Sequence, residues 1–186
     1  STVVARSHFL LASGGQIGAP SGSQLDEDIA QIDTRQKRLR SRSELNEFAD
    51  TLESYLSFFI SEYNMRIPDR LITVYCFPSS GAVQKAADTL HGIEISPLSI
   101  GYSFRDDLSL VGLFDGTLIH ELFHLLVHND FGDVPPWLDE GGAALYEGSV
   151  MKNGRAMGRS NWRGEVLRSL WDRRPSIEAL IKMDWQ

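Results

Sequence analysis

Residues 117–127 read TLIHELFHLLV, an apolar run that carries two histidines and one glutamate. The run is long and apolar enough to predict a buried helix. In a helix, His120 and His124 lie one turn apart on the same face, so both imidazoles can bind one metal ion. Glu121 follows His120 directly, and its carboxylate can reach a water on that ion without being a ligand. The segment therefore predicts a helix that holds a metal.

This pattern has a chemical interpretation and a simpler alternative. Two neutral nitrogen ligands, an adjacent base and an open coordination position are the requirements of zinc-assisted peptide hydrolysis. The H-E-x-x-H spacing from His120 to His124 is typical of that chemistry. The same spacing can occur by chance, and histidines on a buried helix can be satisfied by backbone or carboxylate partners. A third ligand from elsewhere in the chain would favour the metal.

A third ligand is suggested by residues 135–147, which read PPWLDEGGAALYE. Proline is tolerated only at the start of a helix, so a second helix is predicted from about Trp137. Glycine inside a helix costs about 1 kcal/mol relative to alanine, so the small residues at 141–144 predict a close approach to the first helix. Glu140, in the first turn, can then complete a His/His/Glu set with a fourth position open for water.

Other candidate ligands fit less well. His128 lies one turn beyond His124, but each turn rises about 5.4 Å, so one ion cannot bind all three histidines. His128 is instead predicted to lie at the negative end of the helix dipole. Asp133 and Asp139 are the rival carboxylates to Glu140, whereas His8 and His91 are remote and have no motif around them.

Together, the two segments resemble the gluzincin metallopeptidases, and most of all the bacterial peptidase-MA-like families. The resemblance covers residues 117–147 and extends more loosely over residues 71–77 and 101–104, which are similar to the strands before the motif helix. It implies a zincin-like fold and one Zn²⁺ bound by His120, His124 and Glu140, with Glu121 as general base. The metzincin pattern does not fit, because Val127 and Asp130 replace its glycine and third histidine.

The resemblance also implies an edge strand that binds extended substrate through main-chain hydrogen bonds, for which Gly101, Tyr102 and Ser103 are the candidates. Two parts of the site stay open. Many relatives carry an acidic residue four positions after the glutamate ligand, where this chain has Ala144, so the carboxylate that orients a ligand histidine is unassigned. Tyr102 and Tyr146 are candidates to stabilise the oxyanion, although Tyr146 should point away from the face of Glu140.

We expect one α+β, zincin-like domain over residues 1–186. A sheet-containing part, residues 1–115, should pack a small mixed or antiparallel sheet on the motif helix, and a mainly helical part, residues 116–186, should carry the metal ligands. The predicted elements are a strand at 2–11, a loop at 13–23, helices over 24–64, a strand at 71–77, a helix at 80–90, strands at 100–104 and 108–113, a helix cap at Asp115, a turn at 153–154, and closing helices at 161–171 and 176–183.

Composition bounds the function. With 42% hydrophobic and 23% charged residues, the chain has the balance of an ordinary globular domain. A net charge of −7 argues against nucleic acid or an anionic membrane as partner, and the basic run at 35–42 is interpreted as a solvated helix face. The sequence contains no apolar run long enough to span a membrane. Cys76 is the only cysteine, which excludes an internal disulfide.

The predicted function is that of a zinc-dependent peptidase acting on a peptide or protein. The alternative is a catalytically inactive zincin-fold module that binds proteins or peptides, and a third possibility is a purely structural zinc. The chain starts at Ser1 without a methionine and ends soon after a short amphipathic segment, so we expect a piece of a longer protein whose catalytic domain continues beyond Gln186. A secreted, periplasmic or cell-envelope location is favoured over a cytoplasmic one. Substrate specificity and oligomeric state are not predicted.

Overall fold

The computed structural model of the chain describes residues 2–13, 41–113, 117–160 and 162–184. Within these ranges the protein has an α+β fold with a mixed sheet, as the sequence predicts. The predicted helix over 24–40, nearly all of the loop at 13–23, most of the basic run at 35–42, and the helix cap at Asp115 lie outside the described residues.

Five strands form the main sheet: β1 (Thr2–Ala5), β2 (Phe9–Ser13), β3 (Ile72–Phe77), β4 (Gly101–Phe104) and β5 (Ser109–Leu113). Their order is β1-β2-β3-β5-β4, in which β2, β3 and β5 are parallel and both edge strands are antiparallel to their neighbours. Among the described residues, strand β4 therefore lies at the edge of the sheet.

The prediction of a single strand over 2–11 is wrong, because β1 and β2 form a hairpin. A tight turn separates them, in which the Arg6 N–H donates to the Phe9 carbonyl over 2.8 Å. Two polar side chains of the turn contact the helix Arg42–Tyr63: Arg6 pairs with Asp50, and the His8 ring lies 2.7 Å from Glu53. These contacts with residues far along the chain favour the turn, and a local pattern cannot reveal them.

Helices cover both faces of the sheet. Helix α1 (Arg42–Tyr63) begins with a capping box between Ser41 and Glu44 and packs its buried residues on one face, together with the motif helix α3 (Thr117–Phe131). Helix α2 (Ser80–Ala86), which continues as a π-turn over Ala87–His91, packs on the other face. The side chains of β5 alternate between the two faces. Leu110 lies in the core beneath α1 and α3, and Val111 lies in the core beneath α2.

The chain continues through α4 (Pro136–Glu147), the hairpin strands β6 (Ser149–Lys152) and β7 (Arg155–Gly158), α5 (Trp162–Ser169), a 3₁₀ turn (Trp171–Arg173) and α6 (Ile177–Ile181). The predicted turn at Asn153 and Gly154 is confirmed: both have positive φ and join β6 to β7. The part after residue 116 is mainly helical, as predicted, but this hairpin was not expected, because two four-residue strands carry too little periodicity to detect.

Two smaller predictions can also be compared with the fold. Cys76 is a buried residue of β3, as its position in an apolar strand pattern predicts. In the part of the chain that the structure describes, no helix has the length and apolar character needed to cross a membrane.

Candidate metal centre

The motif helix α3 is buried along residues 117–127, yet it places three polar side chains at the edge of a cleft. His120, Glu121 and His124 are each 8% exposed. The cleft has a volume of about 450 Å³ and is bounded by β4 and the segment before it, by α3, by the first turn of α4 and by Arg163 of α5. The apolar side chains of α3 lie in the core, and its three polar side chains line this cleft.

Close packing of α4 on α3 brings the third candidate ligand to the histidines. A Cβ atom at Gly142 would collide with the ring of Phe123, so only glycine allows the helices to approach this closely. Ala143 is fully buried next to it, whereas a Cβ at Gly141 would meet nothing within 4 Å. The predicted close approach is therefore confirmed, and Gly142 and Ala143 account for it.

The donor atoms of His120, His124 and Glu140 converge on one point. The two Nε2 atoms lie 3.0 Å apart, Glu140 Oε2 lies 3.6 Å from His120 Nε2, and Glu140 Oε1 lies 3.8 Å from His124 Nε2. Ligands at 2.0–2.1 Å from one tetrahedral zinc ion are separated by roughly 3.3 Å, so these spacings fit such an ion after small adjustments. Interaction with His120 lowers the pKa of Glu140, which favours the charged carboxylate that a cation requires.

Asp139 is the orienting carboxylate that the sequence left unassigned. Its Oδ1 lies 2.5 Å from His124 Nδ1, and its Oδ2 lies 2.8 Å from His128 Nε2. Although burial opposes ionisation, hydrogen bonds from both histidines hold the pKa of Asp139 below its ordinary value. A charged Asp139 accepts the proton on His124 Nδ1, which leaves the Nε2 lone pair directed at the cleft.

The atoms of His124, His128 and Asp139 also lie close enough together to form a second possible metal-binding group. Here the carboxylate already lies at hydrogen-bond distance from both imidazoles, so the group is satisfied without an ion. His128 also lies 3.0 Å from the carbonyl of Gly132, just beyond the helix end. This agrees with its predicted position at the negative end of the dipole and adds a role as a support for Asp139.

Glu147 lies beside the outer nitrogen of the other histidine. Its Oε2 is 3.3 Å from His120 Nδ1 and also accepts a hydrogen bond from Arg163. Among the described residues, His120 Nδ1 is the one buried side-chain polar atom without a hydrogen bond of good geometry, so this carboxylate is its nearest available acceptor. Both Nδ1 atoms lie next to carboxylates, and the two Nε2 atoms face each other at hydrogen-bond distance, an arrangement that a proton or a metal cation between them would stabilise.

Glu121 is adjacent to the donor set but not part of it. Burial raises the pKa of its carboxyl to about 7, and the nearby histidines oppose this rise. A carboxyl with a pKa near neutrality can both accept and release a proton at the pH of most cells. A cation at the donor set would favour its charged form.

Edge strand β4 lies directly against the start of α3. A Cβ atom at Gly101 would lie 2.6 Å from Thr117 Cγ2 and 3.2 Å from Glu121 Cγ, so glycine is required for this contact. Because strand residues alternate, Gly101 and Ser103 face α3 while Tyr102 faces the opposite side. All three candidate substrate-binding residues border the cleft.

Neither tyrosine considered for the oxyanion points into the cleft. The Tyr102 ring packs with Val83 and Val111 on the other face of the sheet, and its hydroxyl lies 2.8 Å from His91 Nδ1. The Tyr146 ring packs in the core, and its hydroxyl lies 2.5 Å from that of the exposed Tyr63. The Tyr102 hypothesis is therefore wrong, because strand alternation turns its side chain away, and the expectation for Tyr146 is confirmed.

Arg163 is a cleft residue that the sequence did not indicate. It lies in the first turn of α5 and reaches back to Glu147, sixteen positions earlier in the chain. A single sequence gives no signal for such a pair, because it depends on how the intervening hairpin folds.

In comparisons with known proteins, no family model and no curated protein matches this chain.

Proposed function

We propose that this protein is a zinc-dependent peptidase of the gluzincin type, built on a zincin-like fold. The observation that carries the proposal is the convergence of Glu140 on both Nε2 atoms, with the buried Glu121 beside them and outside the donor set. A purely structural zinc normally has four protein ligands. Three ligands facing an open cleft support a catalytic centre instead.

The chemistry follows from the residues around the cleft. Zinc, when bound by His120, His124 and Glu140, supplies Lewis acidity that acidifies water and polarises a carbonyl group. Glu121 takes the proton of the attacking water and later returns it to the leaving amine. The charge of the ion would favour the carboxylate form that accepts the proton, and burial, which raises the pKa of Glu121, shields the transferred proton from bulk solvent. Asp139 holds the His124 ring in the orientation that binding requires.

A polypeptide is the substrate class that the cleft supports best. Strand β4 ends the sheet, so the side of its backbone that does not pair with β5 can pair with an extended chain. Main-chain pairing of this kind recognises peptide groups and is indifferent to most side chains. The residues that would provide it, Gly101–Ser103, line the same cleft as the metal ligands.

Replacement of Glu121 by glutamine tests the proposal. We expect wild-type protein and Glu121→Gln to bind about one zinc per chain by mass spectrometry, because Glu121 is not a ligand. On a broad peptide library, the variant should lose at least about a hundredfold in rate, the usual contribution of a general base. Full activity in Glu121→Gln would show that the base is misassigned.

One observation favours a second candidate, a zinc-binding module that recognises peptides without cleaving them. Both tyrosines considered for the oxyanion are turned away from the cleft. Loss of one oxyanion donor typically costs about a hundredfold to a thousandfold in rate. Stoichiometric zinc, together with peptide binding but no cleavage of the library, would favour this module over the peptidase.

A further inference from the structure

Arg163 lines the same cleft as the candidate metal ligands. Its guanidinium donates to Glu147 Oε2, the same oxygen that lies 3.3 Å from His120 Nδ1. Three side chains therefore form a continuous series from helix α5, through the end of α4, to a histidine of α3. We infer that Arg163 is a positioning residue, which holds Glu147 against His120 so that the His120 Nε2 faces the metal. This inference rests on the proposed zinc centre.

Position and burial explain why the Glu147 carboxylate can orient the His120 ring. Glu147 is seven residues after Glu140, two turns along the same face of α4, so both carboxylates are directed at α3. The Glu147 side chain is 18% exposed. His120 Nδ1 has no hydrogen bond of good geometry to the described residues, and at 3.3 Å this carboxylate is close enough to accept its proton after a small adjustment, which would fix both the tautomer and the ring orientation. His124 has Asp139 for this purpose, and Glu147 gives His120 the equivalent partner.

Glu147 needs a partner of its own to stay in place. It is one of three glutamates around the cleft, and its charge and that of Glu140 repel that of Glu121. The glutamate side chain also has several rotatable bonds, so without support it could turn away from His120. An arginine is always charged and its planar fork fixes the orientation of a carboxylate, which a lysine does less well. Arg163 thus both compensates the charge of Glu147 and holds its direction.

The consequence is that helix α5 contributes to the metal centre. Arg163 is in the first turn of α5 and follows the β6–β7 hairpin, so the position of this turn relative to α4 determines where Glu147 lies. The Arg163 side chain is 38% exposed. A change at this site should therefore affect the metal more than the stability of the fold.

The test compares zinc affinity and cobalt spectra in the full chain. Wild type, Arg163→Met, Arg163→Lys and Glu147→Gln are titrated with zinc against a chromophoric chelator, and Co²⁺ is substituted to record the visible bands of its ligand field. Arg163→Met and Glu147→Gln should each bind zinc about 10- to 100-fold more weakly and shift the Co²⁺ bands, as expected for loss of a carboxylate–histidine contact. Arg163→Lys should recover part of the affinity. Arg168→Met, an exposed arginine of the same helix, is the matched control and should behave as wild type.

A double variant decides whether Arg163 acts through Glu147. If it does, Arg163→Met combined with Glu147→Gln should bind zinc no more weakly than the worse single variant, because both remove the same contact. Wild-type affinity and an unchanged Co²⁺ spectrum in Arg163→Met would overturn the inference, and so would losses that multiply in the double variant. Thermal melting of the metal-free proteins should be alike, and a large loss in Arg163→Met would indicate a structural role instead. These readouts do not use peptide cleavage, so a zinc-binding protein without activity would contradict the proposed peptidase and leave this inference standing.

Discussion

The protein has two buried histidine clusters, one on each face of the sheet, and they differ in how their polar atoms are arranged. His91, on the α2 face, is surrounded by alternating donors and acceptors. Its Nδ1 lies 2.8 Å from the Tyr102 hydroxyl, and its Nε2 lies 3.1 Å from Asp107 and 3.2 Å from Ser109. Its ring also stacks on Phe104 with 4.2 Å between the centroids. Both ring nitrogens of His91 therefore have hydrogen-bond partners within this cluster, which we call self-satisfied.

The cluster on the α3 face is arranged so that like atoms meet. The outer nitrogens of His120 and His124 lie next to carboxylates, and their inner nitrogens lie 3.0 Å apart with Glu140 beside them. The inner nitrogens lie at hydrogen-bond distance, so one proton can join the two rings in the metal-free protein, and a metal cation between them would take its place. Burial alone is thus a poor guide to a metal site. The convergence of two imidazoles and a carboxylate on one point distinguishes this cluster from that of His91.

The largest expected effect is loss of the metal from the α3 cluster alone. His120→Ala, His124→Ala or Glu140→Ala should each remove most of the bound zinc, because a three-ligand site that loses one ligand keeps too few bonds to hold the ion. The loss should exceed the roughly 10- to 100-fold typical of changes outside the ligands. Zinc per chain, measured by mass spectrometry after dialysis, tests this.

His91→Ala is the control from the other cluster, and it should keep wild-type zinc content. If His91→Ala lost zinc as completely as His120→Ala, the distinction between a self-satisfied and a metal-binding cluster would be broken. Full zinc content in Glu140→Ala would show instead that another carboxylate is the third ligand.

A smaller effect is expected from Gly142, which allows α4 to approach α3, and its neighbour Gly141 is the control. Gly142→Ala should reduce the free energy of unfolding by about 1–3 kcal/mol, the usual cost of overpacking, because the new methyl group collides with Phe123. Gly141→Ala, whose methyl group meets nothing within 4 Å, should instead stabilise the helix by about 0.5–1 kcal/mol. Urea denaturation of the two metal-free variants measures both values.

The same pair links packing to the metal. Gly142→Ala should weaken zinc binding, since it moves Glu140 away from the histidines, while Gly141→Ala should not. Equal zinc affinity in both variants would mean that the approach of α4 does not position Glu140.

The smallest effect concerns the self-satisfied cluster. Tyr102→Phe removes the hydroxyl next to His91 Nδ1 and should lower the free energy of unfolding by about 1 kcal/mol, the net worth of a typical hydrogen bond. Zinc affinity should stay at the wild-type value, because the Tyr102 ring lies on the face of the sheet opposite α3. A clear loss of zinc in Tyr102→Phe would imply coupling between the clusters through β4.

Much of this arrangement could be predicted from the sequence. The motif helix, the start of α4 at a proline and the approach of Glu140 to the histidines follow from helical spacing and from the small residues around Gly142. The strands at 72–77, 101–104 and 109–113 follow from apolar runs bounded by turns. In each case a short-range pattern determines the outcome.

The rest depends on contacts that no local pattern contains. The sequence indicates Asp139 only as a rival ligand, because the nitrogen it faces depends on the crossing of α4 over α3. It also allows Tyr102 to face the cleft, because four residues do not reveal which side chains of β4 face which side of the sheet. Arg163 reaches Glu147 only after the hairpin has reversed the chain. These residues surround the candidate ligands, where tertiary packing determines orientation.

The closeness of Gly101 to Glu121 has a consequence for the register in which a bound peptide could be cleaved. A Cβ atom on Gly101 would lie 3.2 Å from Glu121 Cγ, so the backbone that would pair with the peptide lies close to the side chain of the proposed base. A peptide that slides by one residue along β4 turns its opposite face to the base, and only a shift of two residues restores an equivalent position. Under the proposed function, alternative cleavage positions in one peptide would therefore be spaced by two residues, whatever their side chains.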